Sequence, residues 1–161
     1  MVFCSPAQAQ TSVPPTPEPL ILTDAQGKYP LGLHMEILED LSGELTIEDV
    51  TSPEFEAQFI PSQVAVPNYG FTDSAYWVRF TLDNQTLQIH EWLLEQGFAN
   101  TQFIDLYTPL PDGDGFTVKQ TGTLRPAVTR DIPHNRFIFN LTIPPPKASK
   151  PTTCVSKTAP R

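Results

Sequence analysis

Two residues of matched chemistry, Trp77 and Arg79, stand two apart in one alternating segment. An indole beside a guanidinium can stack on a sugar ring and hold a carboxylate through paired hydrogen bonds. Arg125, Arg130, His134 and Arg136 gather within twelve residues of an otherwise acidic chain. That grouping has the makings of an anion-recognising rim, each charged hydrogen bond contributing about 1.5–3 kcal/mol if shielded from water. Trp77, Arg79, Arg125, Arg130 and His134 are therefore the expected ligand-binding residues. The competing reading places Trp77 against Arg79 or under a loop, and gives the cations to nearby acids such as Asp131.

Other chemistries fit less well. Asp112-Gly113-Asp114-Gly115 is rich in oxygen ligands, but a calcium loop of the EF-hand type needs more of them and a closing bidentate Glu. It reads as a hairpin turn. His34, His90 and His134 lack the close His/Cys/Asp spacing of a zinc site, so no metal is expected. Glu39 with Asp40, and Glu54 with Glu56, invite comparison with the paired carboxylates of glycosidases. Neighbours on a strand point to opposite faces, which removes the first pair. No Ser/His/Asp arrangement and no phosphate-cradling glycine loop can be assembled. The chain is expected to be no enzyme and to need no cofactor.

The elements that must position these residues are strands. Tyr76, Val78, Phe80 and Leu82 alternate with Trp77, Arg79, Thr81 and Asp83, so one face is built for a core and the other shows an aromatic beside a cation. Phe137, Phe139, Leu141 and Ile143 repeat the pattern, as do Leu31, Leu33, Met35 and Ile37 against Gly32, His34 and Glu36. Shorter strands are expected at 91–95, 103–107 and 116–120. The run between Tyr107 and Phe116 makes the last two a hairpin, and residues 40–43 form a second turn. One short helix is expected after Thr46, capped by its hydroxyl with Asp49 in the first turn, and ended by Pro53. The fold class is all-β, an antiparallel sandwich or jelly roll with one short helix.

Composition sets the limits. With 161 residues there is chain for one domain. Eighteen prolines oppose a helical protein and cluster at 14–19 and 144–151, which marks both ends as non-globular. The net charge is −8, and phosphate binding needs clustered Lys and Arg, so nucleic acid is excluded as a partner. Residues 1–10 resemble the remnant of a secretory signal, with Ala7-Gln8-Ala9 as a small-x-small cleavage site, and 11–19 a proline-rich linker. The body is expected over 20–146, with its C-terminal strands missing. Residues 147–161 read as a non-native tail, basic and without apolar period, which a shifted reading frame would explain. No stretch approaches the ~20 apolar residues that span a bilayer.

Three segments in order carry a family resemblance: Tyr76-Trp77-Val78-Arg79-Phe80-Thr81-Leu82-Asp83-Asn84, then Trp92-Leu93-Leu94-Glu95, then Asp105-Leu106-Tyr107-Thr108-Pro109 followed by Asp112-Gly113 and Thr121-Gly122. With Arg130, His134 and Phe137-Ile138-Phe139, they resemble the type 2 extracellular domain of the seven-transmembrane receptors with diverse intracellular signalling modules, 7TM-DISM. The likeness covers about residues 31–144. It implies a jelly roll like that of carbohydrate-binding modules, on the periplasmic or extracellular side of a bacterial membrane. The implied function is sensing a small-molecule ligand, a carbohydrate or carboxylate, for a membrane-embedded receptor. The alternative is a structural or dimerisation module without a ligand, with a homodimer as its assembly.

Overall fold

The computed structural model describes residues 16–70, 72–144 and 152–159. Nine strands run through them: β1 (Leu20–Leu22), β2 (Met35–Asp40), β3 (Ile60–Pro61), β4 (Ala75–Asn84), β5 (Glu91–Gln96), β6 (Phe103–Pro109), β7 (Phe116–Thr121), β8 (Phe137–Thr142) and β9 (Thr152–Ala159). Two four-residue helices, α1 (Ile47–Val50) and α2 (Pro53–Glu56), separate β2 from β3.

The strands make two layers. A seven-stranded sheet has the order β3-β2-β4-β9-β6-β7, with β1 added parallel to the end of β4. β5 and β8 form a two-stranded antiparallel sheet. Alternation explains how the layers meet. Phe80 and Leu82 of β4, Ile104 and Leu106 of β6, and Cys154 of β9 join Phe137, Phe139 and Leu141 of β8 in one buried cluster. Trp92 and Leu94 of β5 pack against it. Burying each Leu or Phe contributes about 1.5–3 kcal/mol, so this layer dominates the stability. Burial also pushes the Cys154 thiol up to about 12, which leaves it inert at neutral pH.

The local chemistry of the turns is as expected. The β6–β7 hairpin closes through residues 110–115, where Gly113 and Gly115 take φ of 84° and 104°. At α1, Thr46 Oγ1 accepts from the Asp49 N–H at 3.3 Å while the Asp49 carboxylate accepts from the Thr46 N–H at 2.8 Å. α1 stops at Val50, and Pro53 opens a second helix rather than merely ending the first. Its fixed φ suits a first helical position.

Two further expectations are corrected. Leu31 and Leu33 do not extend β2, because Gly32–His34 is a 3-10 turn. At Gly32 the backbone also runs against residue 65, where a Cβ would lie 1.9 Å from the Ala65 carbonyl oxygen, so the position requires glycine. The larger correction concerns the C-terminal segment, expected to lie outside the body. Residues 152–159 form β9, in the middle of the large sheet, paired with β4 from Tyr76↔Thr158 to Leu82↔Thr152 and with β6 on its other side. Thr152, Thr153, Val155 and Thr158 are β-branched and favour a pleated strand. Cys154 and Val155 are buried on opposite faces, so the segment has no one-sided apolar period to read. The proposed signal remnant at 1–10, most of the linker, and 145–151 lie outside the described residues.

Candidate functional site

The second face of the large sheet carries the odd-numbered residues of β4. α1, α2 and the segment leading to β3 lie across it. Ile47, Val50 and Phe59 bury against Leu38, Trp77 and Val155, with Leu45, Phe55, Tyr107 and Phe116 around them. Trp77 is 0% exposed. It is thus no outward platform for a ligand, contrary to the expectation from alternation, because the helical segment roofs the face that the strand pattern alone leaves open. Its ring stacks near Tyr107, with centroids 5.8 Å apart.

Charged groups line this face where the roof ends. Asp40, at the end of β2, accepts from Ser42 Oγ at 2.7 Å, the Gly43 N–H at 2.8 Å and the Leu45 N–H at 3.0 Å. Burial works to raise the Asp40 pKa, but these donors together outweigh it and hold the carboxyl below its ordinary value. Lys157 of β9 donates to the carbonyls of Gly43 and Leu45, each at 2.9 Å, and sits 5.0 Å from the Trp77 ring centre. Arg125 pairs with Asp105 and donates to Ile104 O at 3.0 Å and Thr121 O at 3.2 Å. Both cations border a small hollow of about 240 Å³ with Phe103 and Ala159, yet both are committed to protein acceptors.

Arg79 is placed differently. It stands at a cleft of about 500 Å³ lined by Glu36, Pro53, Glu56, Phe59, Thr81 and Thr153 among others. Its Nε donates to Glu36 Oε2 at 2.8 Å, and its guanidinium carbon lies 4.4 Å from the centre of the Phe59 ring. Within the guanidinium only Nε is hydrogen-bonded among the described residues, and Arg79 is one of the residues that line the cleft. The side chains of Arg79 and Glu36 are 18% and 9% exposed, which makes this a partly shielded ion pair with spare donors. The hydroxyls of Thr81 and Thr153 meet at 2.9 Å on the neighbouring strands β4 and β9.

The remaining candidates do not join Arg79. Arg130 donates to the His134 carbonyl and lies 4.6 Å from the Phe137 ring centre. His134 Nδ1 accepts from the Arg136 N–H at 3.1 Å, and the Arg136 guanidinium pairs with Glu95. Asp131, expected to serve these arginines, instead binds Lys119 at 2.5 Å and the Asn140 N–H at 2.8 Å. No hydrogen bond or ion pair among the described residues links Arg125 with Arg130 or His134, and each cation is instead answered by its own protein acceptor or ring. No group of three or more His, Cys, Asp or Glu side chains able to hold a metal occurs among the described residues. Sequence reasoning missed Glu36, Phe59, Thr81 and Thr153 as neighbours of Arg79. For Glu36 and Thr81 the signal was present in the polar positions of β2 and β4.

Among curated proteins none matches the chain. Residues 32–159 match the family 7TMR-DISM extracellular 2. The matched stretch takes in every strand from β2 to β9, including the C-terminal strand that reads poorly from its own residues. This protein belongs to the 7TMR-DISM extracellular 2 family, and so is an extracellular receptor domain.

Proposed function

We propose that the domain is a non-catalytic sensor on the outer side of a bacterial cytoplasmic membrane, and that it binds a small polar ligand in the cleft at Arg79. The observation that carries this reading is the guanidinium itself, stacked on Phe59 and tied through Nε in the lining of a cleft of about 500 Å³, with no acceptor on its terminal nitrogens among the described residues. That volume lies within the ~300–1,000 Å³ of small-molecule sites. Preorganisation lowers the entropy lost when a ligand binds, since the side chain is already held on two sides.

The walls of the cleft belong to different elements. Pro53, Glu56 and Ala57 come from α2 and its end, while Arg79, Thr81 and Thr153 come from the sheet. A ligand touching both walls binds one spacing of α2 and sheet better than another. Such unequal binding is what a sensor needs to pass on occupancy. Thermal-shift screening of the 161-residue chain with sugars, dicarboxylates and amino acids is the direct test. At least one compound should raise the melting temperature, and Arg79→Met should abolish that rise. An unshifted melting temperature throughout, or a rise retained in Arg79→Met, refutes the site.

A further inference from the structure

The lining of the Arg79 cleft restricts what can occupy it, and this inference rests on the reading just given. Among the described residues of the lining, Glu36 and Glu56 set two carboxylates against the one guanidinium of Arg79, leaving one net negative charge. The chain as a whole carries −8. A simple carboxylate would gain Arg79 but would approach two like charges in a partly dry site, where Coulomb terms are larger than in water. A sugar lacks its usual stacking partner here. Phe59 is the only aromatic residue of the lining among the described residues, it is 6% exposed, and the Arg79 guanidinium lies over its ring. Its other surroundings are the buried cluster of Trp77 and Leu38.

An anionic group is still welcome at the terminal nitrogens of Arg79, provided that a cationic group on the same molecule answers the acids. We infer that the cleft takes a small zwitterion, a free α-amino acid, whose carboxylate meets Arg79 and whose ammonium meets Glu36 and Glu56. Thr81 and Thr153, bonded to each other, add two uncharged hydroxyls to the lining for the polar backbone of such a ligand.

Isothermal titration of the full chain separates the class of ligand from the existence of the site. The titrants are the twenty free L-amino acids, and for any binder its N-acetyl and carboxamide derivatives, beside glucose, galactose and succinate. At least one free amino acid should bind, and blocking either its amine or its carboxyl should weaken it at least tenfold. Glu56→Gln should weaken it several-fold, and Arg79→Lys, which keeps the charge but loses the fork, at least tenfold. Near-ultraviolet circular dichroism of each variant checks that the fold is retained. A sugar or succinate that binds and is lost in Arg79→Lys overturns the zwitterion while leaving the site intact. If no titrant binds, or if binding is indifferent to Arg79→Lys in a folded variant, both the ligand class and the site fall.

Discussion

The two faces of the large sheet use the same strands and reach opposite solutions. Beneath β5 and β8 the buried cluster is apolar, with Leu106 and Cys154 at 0% and Phe137 at 1% exposed, and at its margin the Asn84 amide is answered by the carbonyls of Ile89 and Ile143. Beneath α1 and α2 the sheet offers Trp77 and Leu38, then gives way to Asp40, Lys157, Arg79 and Glu36 within the same strands. A sheet partner presents a broad flat surface that only side chains of matching shape can fill. Two helices of four residues each cover less, and leave margins where charged groups retain some water. One face therefore builds the fold, and the other has room for recognition.

Core truncation should show the largest difference. Phe139→Ala, in the layer between the sheets, is expected to cost about 3–5 kcal/mol in urea denaturation, and a loss near 1 kcal/mol would erase the contrast between the faces. On the helical side, Asp40→Asn should cost about 1–3 kcal/mol, because an amide cannot accept all the bonds that the carboxylate does. Its pH signature is more specific. The folded Asp40 carboxyl is held below its ordinary value of 3.8. Its contribution is present above that value and lost as pH falls through the lower, folded one. Wild-type stability should thus decline below about pH 4, and the variant should decline less. The residual slope belongs to carboxylates such as Asp49, held low by the Thr46 backbone and hydroxyl, and Glu95, held low by Arg136. Equal acid limbs in the two proteins would show that the turn does not depend on the charge. Thr46→Ala should have the smallest effect, about 1 kcal/mol from the lost cap, and should leave Phe139→Ala additive with it if the faces are independent.

Much of this architecture is legible in the residues. The apolar positions of β4 and β8, the glycine-rich hairpin, and the Thr46–Asp49 cap each announce themselves locally, because short-range sterics and hydrogen bonds decide them. Trp77 illustrates the limit. Alternation gives its face correctly but cannot say whether another element covers that face, and coverage comes from residues 47–59, distant in sequence. Arg79 reads well as a candidate for the same reason in reverse: it lies at the margin of that cover. Arg125 and Arg130 misled by sequence proximity, since Asp105, far from Asp131, holds the first and an aromatic ring the second. β9 was the least legible element, being central, two-faced and rich in Ser and Thr.

The position of β9 has a consequence for biosynthesis. β4 and β6 are neighbours only through β9, so the halves β3-β2-β4 and β6-β7 share no backbone ladder until Thr152–Ala159 arrives. On a ribosome adding ~5–20 residues per second, the stretch from Thr121 to Thr152 takes on the order of seconds. During that interval the nascent polypeptide carries two half-sheets, each with an unzipped border open to pairing with another chain.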